Sequence, residues 1–195
     1  MRSIERLGDT ALRWALPADA EPRALLAALL ATAGVIDAVV TESHACVYYE
    51  PDHPPDLSIL VPSWRAIPAP RSVVIRTRYD GRDLTELAER SDMTTEELIS
   101  LFEEREYTVR MMGFLPGFAY LREVHPRILA PRRAQPRTKI PAGAVATAAG
   151  YAGVYPFASP GGWNLLGTAV DFRPFSDEGK AAFAVGDRVR FERVP

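Results

Sequence analysis

Apolar residues recur along this chain with two different periods, and the alternation between them predicts a mixed fold. Ile4 to Leu7 and Thr10 to Leu16 read as two strands joined at Gly8-Asp9, where glycine tolerates positive φ and aspartate bonds back to nearby backbone. Leu25, Leu26, Leu29 and Leu30 fall on one face at helical spacing. They predict a helix that begins near Pro22, is capped by Asp19 and is stopped by Gly34. Val35 to Thr41 and Ala45 to Tyr49 read as strands rich in valine and tyrosine. Pro51 to Pro55 is a loop, and Leu57 to Trp64 reads as a second helix, completing a small α/β unit. In Ile67-Pro68-Ala69-Pro70 each proline pushes its predecessor out of the helical region, so the segment reads as an extended linker. The expected domains are therefore residues 1–70 and 71–195.

The second half changes character. Ser72 to Tyr79 is a strong strand. Two short helices follow, one with Asp83 and Glu86 as its capping pair and Leu84, Leu87 and Ala88 as its buried face. The other has Thr94 and Glu97 as its caps and Leu98, Leu101 and Phe102 as its face. Tyr107 to Met112 returns to strand. From there short strands and loops run to a closing strand, Asp187 to Arg193, in which Arg188, Val189, Arg190 and Phe191 alternate. Frequent short strands between Gly/Pro turns predict a β-barrel or sandwich. Eight of the 13 glycines and seven of the 17 prolines fall between Gly113 and Gly167. Each is costly inside regular elements, so this density marks shaped loops, and any site is expected among them.

Bulk composition narrows the function classes. Over 195 residues the chain is 47% hydrophobic and 25% charged, ordinary for a globular protein. A net charge of −2 gives no electrostatic case for nucleic acid or an anionic membrane. The longest largely apolar run, Ala24 to Ala33, is well short of the roughly 20 residues of a membrane span. Cys46 stands alone, so no intrachain disulfide forms, and residues 1–20 contain no uninterrupted apolar leader. A cytoplasmic protein is expected.

Candidate chemistry concentrates in the Gly/Pro-rich stretch. His44, His53, His125 and Cys46 have no ligand spacing, so no metal site is expected. Ser159 lies in Ala-Ser-Pro-Gly-Gly rather than a nucleophile elbow, and its loop reads as one whose glycine amides meet a ligand oxygen. No glycine-rich phosphate motif is present, and no cofactor is evident in the chain itself. Arg132, Arg133, Arg137 and Lys139 form a basic cluster stiffened by Pro131, Pro136 and Pro141. Guanidinium groups there suit a carboxylate or phosphate. Tyr120, Tyr155 and Trp163 are candidates to wall a pocket, with Asn164 as a polar contact.

Three motifs in order carry a resemblance: Gly-Phe-Leu-Pro-Gly-Phe-Ala-Tyr-Leu at 113–121, Pro-Arg-Thr-Lys-Ile-Pro-Ala-Gly at 136–143, and Tyr155-Pro156 followed by Ser-Pro-Gly-Gly-Trp at 159–163. With Gly8-Asp9-Thr10-Ala11-Leu12 at the start, they resemble the KipI family, whose members are called the B-type subunit of 5-oxoprolinase or allophanate hydrolase subunit 1. The resemblance implies an α+β protein, a small α/β domain followed by a cyclophilin-like β-barrel. It implies a KipA-like partner (the C-type subunit of 5-oxoprolinase, or allophanate hydrolase subunit 2) and a small-molecule amide substrate. The implied activity is hydrolysis of C–N bonds other than peptide bonds, exerted in the complex, with ATP entering at the level of that complex. ATP-dependent opening of 5-oxoproline to glutamate and hydrolysis of allophanate are the two forms. Inhibition of a histidine kinase and half of a urea carboxylase-type, biotin-dependent carboxyltransferase are the alternatives. On this reading Arg137 and Lys139 are the catalytic candidates. Phe114, Pro116, Gly117, Tyr120, Arg132, Tyr155, Ser159, Gly161, Gly162, Trp163 and Asn164 are the substrate-binding candidates. One departure stands out: members usually carry a histidine where this chain has Phe102, ahead of Glu106-Tyr107.

Overall fold

A computed structural model of the protein describes residues 4–18, 20–56 and 69–195. The chain divides into two compact units, Met1–Ala69 and Pro70–Pro195. Among the described residues no helix is long and apolar enough to cross a membrane.

The first unit is an antiparallel sheet with a helix on it. Its strands are β1 (Glu5–Leu7), β2 (Ala11–Ala15), β3 (Val35–Val40) and β4 (His44–Tyr49), in the order β1-β2-β4-β3. Gly8, with φ +65°, makes the first turn as its residue type requires. Helix α1 (Pro22–Leu30) buries Leu29 completely, in a core with Trp14, Ala38, Val40, Ala45 and Val47. Two expectations change here. The cap is Glu21, whose side chain accepts from the Arg23 amide, and Asp19 lies outside the described residues. Leu30 is 51% exposed, because a helix lying on one sheet buries a stripe narrower than four leucines. The helix expected over Leu57 to Trp64, and Ile67-Pro68 of the expected linker, also lie outside the described residues.

The second unit is a closed barrel. Its strands are β5 (Ser72–Arg78), β6 (Tyr107–Met112), β7 (Ala119–Arg122), β9 (Ala144–Ala148), β10 (Tyr151–Val154), β12 (Asn164–Ala169) and β13 (Arg188–Arg193). They close in the order β10-β7-β6-β13-β5-β12-β9. Only the β13–β5 pair is parallel among the described ladders of this barrel. β8 (Arg137–Ile140) and β11 (Ser159–Gly161) form a separate two-stranded ribbon. Closure pairs every edge, so the interior is packed by side chains that alternate along each strand. Val189 and Phe191 of β13 point inward and Arg188 and Arg190 outward, as the alternation predicts.

Helices α2 (Leu84–Arg90) and α3 (Thr95–Glu103) join β5 to β6. Helix α3 has its capping box in full: Thr94 Oγ1 accepts from the Glu97 amide, and the Glu97 carboxylate accepts from the Thr94 amide at 2.7 Å. These bonds favour the charged form, so the Glu97 carboxyl sits below its ordinary value of 4.5. Helix α2 departs from expectation, because the Asp83 side chain makes no cap bond. Phe102 is fully buried, with its ring 4.8 Å from Phe191 and 5.2 Å from Tyr107, centroid to centroid. The Tyr107 hydroxyl donates to the Phe102 carbonyl at 2.9 Å. At this position the side chain is a core aromatic.

Candidate functional site

The barrel unit gathers the residues singled out by sequence into two neighbourhoods. The first is an aromatic cluster around Phe118. The rings of Tyr120, Tyr155 and Trp163 approach it edge-on, at 5.0, 5.5 and 5.4 Å. Tyr155 and Trp163 are 2% and 5% exposed, so both are packed into the core of the ribbon side of the barrel. Burial drives the Tyr155 hydroxyl above its usual range. Gly161 lies directly under that hydroxyl, where a Cβ would collide with it and with Ile140. The Gly162 carbonyl accepts from the Arg133 amide at 2.7 Å. Asn164 is 1% exposed, and its Nδ2 donates to the carbonyls of Pro131 at 3.0 Å and Thr147 at 3.2 Å. It ties the basic loop to β9, and both its donors are spent there. The Ser159 hydroxyl donates to the Pro160 carbonyl at 3.2 Å. Phe114 is 56% exposed at φ +70°, on the β6–β7 turn with Pro116 and with Gly117 at φ +81°. Arg132 is exposed on the basic loop.

The second neighbourhood is a cavity of about 250 Å³ beside β12. Arg137, Lys139 and Pro141 line it from β8 and the residues after it, and Asp80 and Arg82 from the β5–α2 connection. Thr168 completes the polar lining, its hydroxyl donating to Asp80 Oδ1 at 2.8 Å. The connection lies flat on β12: the Gly81 amide donates to the Leu166 carbonyl at 3.1 Å, and the Asp83 amide to the Leu165 carbonyl at 3.2 Å. A Cβ at Gly81 would run into the backbone of Leu165 and Leu166, and one at Gly167 into the Arg78 carbonyl. These two glycines are what permit the approach.

Asp83 organises the wall. It is 3% exposed. Its Oδ2 accepts from the Leu165 amide at 2.7 Å. Its Oδ1 accepts from Arg137 Nη2 at 2.5 Å and from Arg133 Nη1 at 3.0 Å. Arg133 also reaches Glu86 Oε2 at 2.9 Å, and that bond, with the Asp83 charge, raises the Arg133 pKa further. Arg137 Nη1 donates to the Trp163 carbonyl at 3.4 Å. A buried carboxylate with three donors is satisfied, and it holds the Arg137 guanidinium in one orientation. Charge-assisted contacts of this kind make Arg137 a fixed donor rather than a mobile one.

The structure thus brings Arg137 and Lys139 to one cavity, while Tyr155, Trp163 and Asn164 are built into the fold beside it. Sequence reasoning missed Asp80, Arg82, Asp83 and Thr168. The available signal was Asp-Gly-Arg-Asp at 80–83, two carboxylates around a glycine at the end of a strong strand. Among the described residues no group of three or more His, Cys, Asp or Glu side chains is placed to hold a metal ion.

Comparison with known proteins agrees with this architecture. The family model described as carboxyltransferase domain, subdomain C and D, matches residues 2–183. The B-type subunit of 5-oxoprolinase from Bacillus subtilis (strain 168) is 42% identical over 116 residues, 58% of this chain and 48% of that protein. Its counterpart from Escherichia coli O157:H7, of the same name, is 39% identical over 129 residues, 64% of this chain and 59% of that protein. The matches therefore span about half the length of these curated relatives. The solved structure of TTHA0988 superposes with a TM-score of 0.81 at 35% identity, over 95% of this chain and 40% of that one. Sequence motifs, barrel topology and the near-complete family match lead to one conclusion: the chain belongs to the carboxyltransferase domain family, subdomains C and D, and within it to the KipI family.

Proposed function

We propose that this chain is a subunit of a heteromeric, cytoplasmic 5-oxoprolinase that opens 5-oxoproline to glutamate with a KipA-like partner and ATP. The observation that carries the reading is the cavity in which the second family motif places Arg137 and Lys139 together. The names of the two curated relatives support the substrate. Opening the lactam adds water across its C–N bond: the carbonyl carbon gains the oxygen, and the ring nitrogen leaves with the proton. Negative charge develops on the carbonyl oxygen as water adds. A donor already fixed in place costs no reorganisation at that moment, and this is the role given to Arg137, clamped by Asp83. Lys139 adds positive charge on the same wall.

The cavity suits a ligand smaller than a drug-sized molecule. ATP is accordingly assigned to the complex, and no residue of this chain is given a role toward it. Trp163, whose carbonyl accepts from Arg137, and Gly161, the ribbon partner of Arg137 with Tyr155 packed against it, support the cavity wall instead of touching substrate. Subdomains of a carboxyltransferase are the second reading, favoured by the description of the matching family. Co-purification with the KipA-like subunit, followed by assay on 5-oxoproline and on allophanate, separates the two hydrolase forms. Glutamate formed only with ATP supports the proposal. A stable complex that consumes allophanate and leaves 5-oxoproline intact overturns it.

A further inference from the structure

The four charged groups at the Asp83 clamp cancel one another. Arg137 and Arg133 share the Asp83 carboxylate, and Arg133 also pairs with Glu86. Arg137 therefore lines the cavity as a fixed guanidinium that adds little net charge to it. Two other cations line the same space, Arg82 and Lys139, and neither has an ion pair or side-chain hydrogen bond among the described residues. The opposing group is Asp80, whose Oδ1 is engaged by the Thr168 hydroxyl at 2.8 Å. Its Oδ2 makes no hydrogen bond among the described residues. The cavity is thus left with a single net positive charge and one carboxylate oxygen that has no hydrogen-bond donor among the described residues.

We infer that this cavity is a subsite for a small lactam acid, in which Arg82 and Lys139 hold the carboxylate and Asp80 accepts the ring N–H. The inference rests on the 5-oxoprolinase reading for its substrate, but the division of labour comes from the charge arrangement. A monoanion matches the net charge, whereas a phosphate dianion would have to be held next to Asp80 with only two uncommitted cations. Guanidinium and ammonium groups both pair with carboxylate, and leaving them without partners in the free protein keeps them available. The floor is backbone brought close by Gly81 and Gly167 and tied by the Gly81–Leu166 hydrogen bond. Arg82 itself follows Gly81 directly, which fixes where its side chain leaves the backbone.

The inference is tested by calorimetric titration of the full chain with 5-oxoproline, cyclopentanecarboxylate, 2-pyrrolidinone and inorganic phosphate. It predicts that 5-oxoproline binds most tightly, cyclopentanecarboxylate at least threefold more weakly, and 2-pyrrolidinone at least thirtyfold more weakly. R82Q with K139Q weakens 5-oxoproline at least tenfold with no change in melting temperature, since neither side chain has a hydrogen-bond or ion-pair partner among the described residues. D80A gives the sharpest sign. It weakens 5-oxoproline if Asp80 accepts the N–H, and it tightens binding if Asp80 merely repels the carboxylate. Tighter binding in D80A, equal binding of 5-oxoproline and 2-pyrrolidinone, preference for phosphate, or no binding of 5-oxoproline each overturn the inference. The KM of the assembled complex separates this outcome from failure of the functional reading. A complex that makes glutamate with an unaltered KM in R82Q/K139Q refutes the subsite alone. A complex that makes none, while the free chain shows the predicted ligand order, refutes the reading and keeps the subsite.

Discussion

Replacing Asp83 with Asn keeps the side chain's size and removes its charge. The Asp83 carboxylate accepts from Leu165 N on one oxygen and from Arg137 and Arg133 on the other. An amide cannot satisfy both sides. Either its NH₂ group faces the Leu165 N–H, or it faces two guanidinium groups. Leaving a buried donor unpaired costs about 1–3 kcal/mol, and removing one member of a buried ion pair about 3–5 kcal/mol. Arg133 is 29% exposed and Arg137 18%, so water recovers part of the second cost. The net expectation is about 3 kcal/mol, or roughly a 10 °C fall in melting temperature for a unit of this size. Urea unfolding measures it cleanly in a Trp14→Phe, Trp64→Phe background, where Trp163, 5% exposed inside the barrel unit, is the remaining tryptophan. Glu86→Gln is the control. Glu86 contacts the same Arg133 but is 50% exposed, so its loss should cost no more than about 0.5 kcal/mol. An Asp83→Asn midpoint indistinguishable from that of Glu86→Gln would refute the account of Asp83 as the organiser of the wall.

Other outcomes follow from the same contacts. Gly161→Ala should destabilise the barrel unit by about 1–3 kcal/mol, because the new methyl meets the buried Tyr155 hydroxyl and Ile140; adding Tyr155→Phe should recover part of that loss in a denaturant midpoint, and no recovery would exclude this collision as the cause. Glu97 is a carboxylate whose folded-state pKa is depressed, so its stabilisation is complete above pH 4.5 and fades as pH falls through the lower folded value. Glu97→Gln should therefore narrow the difference between stability at pH 7 and pH 3, read by thermal unfolding at each pH, and an unchanged difference would contradict the assignment. Asn164→Leu should lower stability by about 1–3 kcal/mol by removing the buried amide that donates to the Pro131 and Thr147 carbonyls and ties the basic loop to β9, measured in the same unfolding assay.

Much of the fold was legible because it rests on local rules. The period-two pattern of β13, the capping box at Thr94 and the glycine turn at Gly8 are each encoded within a few residues. Arg137 and Lys139 were legible as a stiff basic motif, and both line the cavity. What sequence could not give was the partner of each group across the barrel. Asp83 reads as a helix cap next to its helix, yet its bonds run to residues more than 45 positions away, because the β5–α2 connection lies on β12. Asn164, Tyr155 and Trp163 have the residue types of a binding site, and only the closed barrel shows that their polar atoms and faces are used internally. Asp80 and Thr168 are 88 positions apart and meet only through the β5–β12 pairing.

The central claim is that the Arg137 wall acts on the lactam. The direct measurement is the steady-state rate of glutamate formation from 5-oxoproline by the ATP-supplied complex, for wild type and Arg137→Lys side by side. Lysine keeps the charge next to Asp83 but loses the planar fork that joins Asp83 to the Trp163 carbonyl and fixes the donor in the cavity wall. Loss of one fixed donor to a developing oxyanion costs about 10²–10³ in kcat. A fall of that size with KM within about threefold and the complex intact is the predicted result; a wild-type kcat in Arg137→Lys would contradict it.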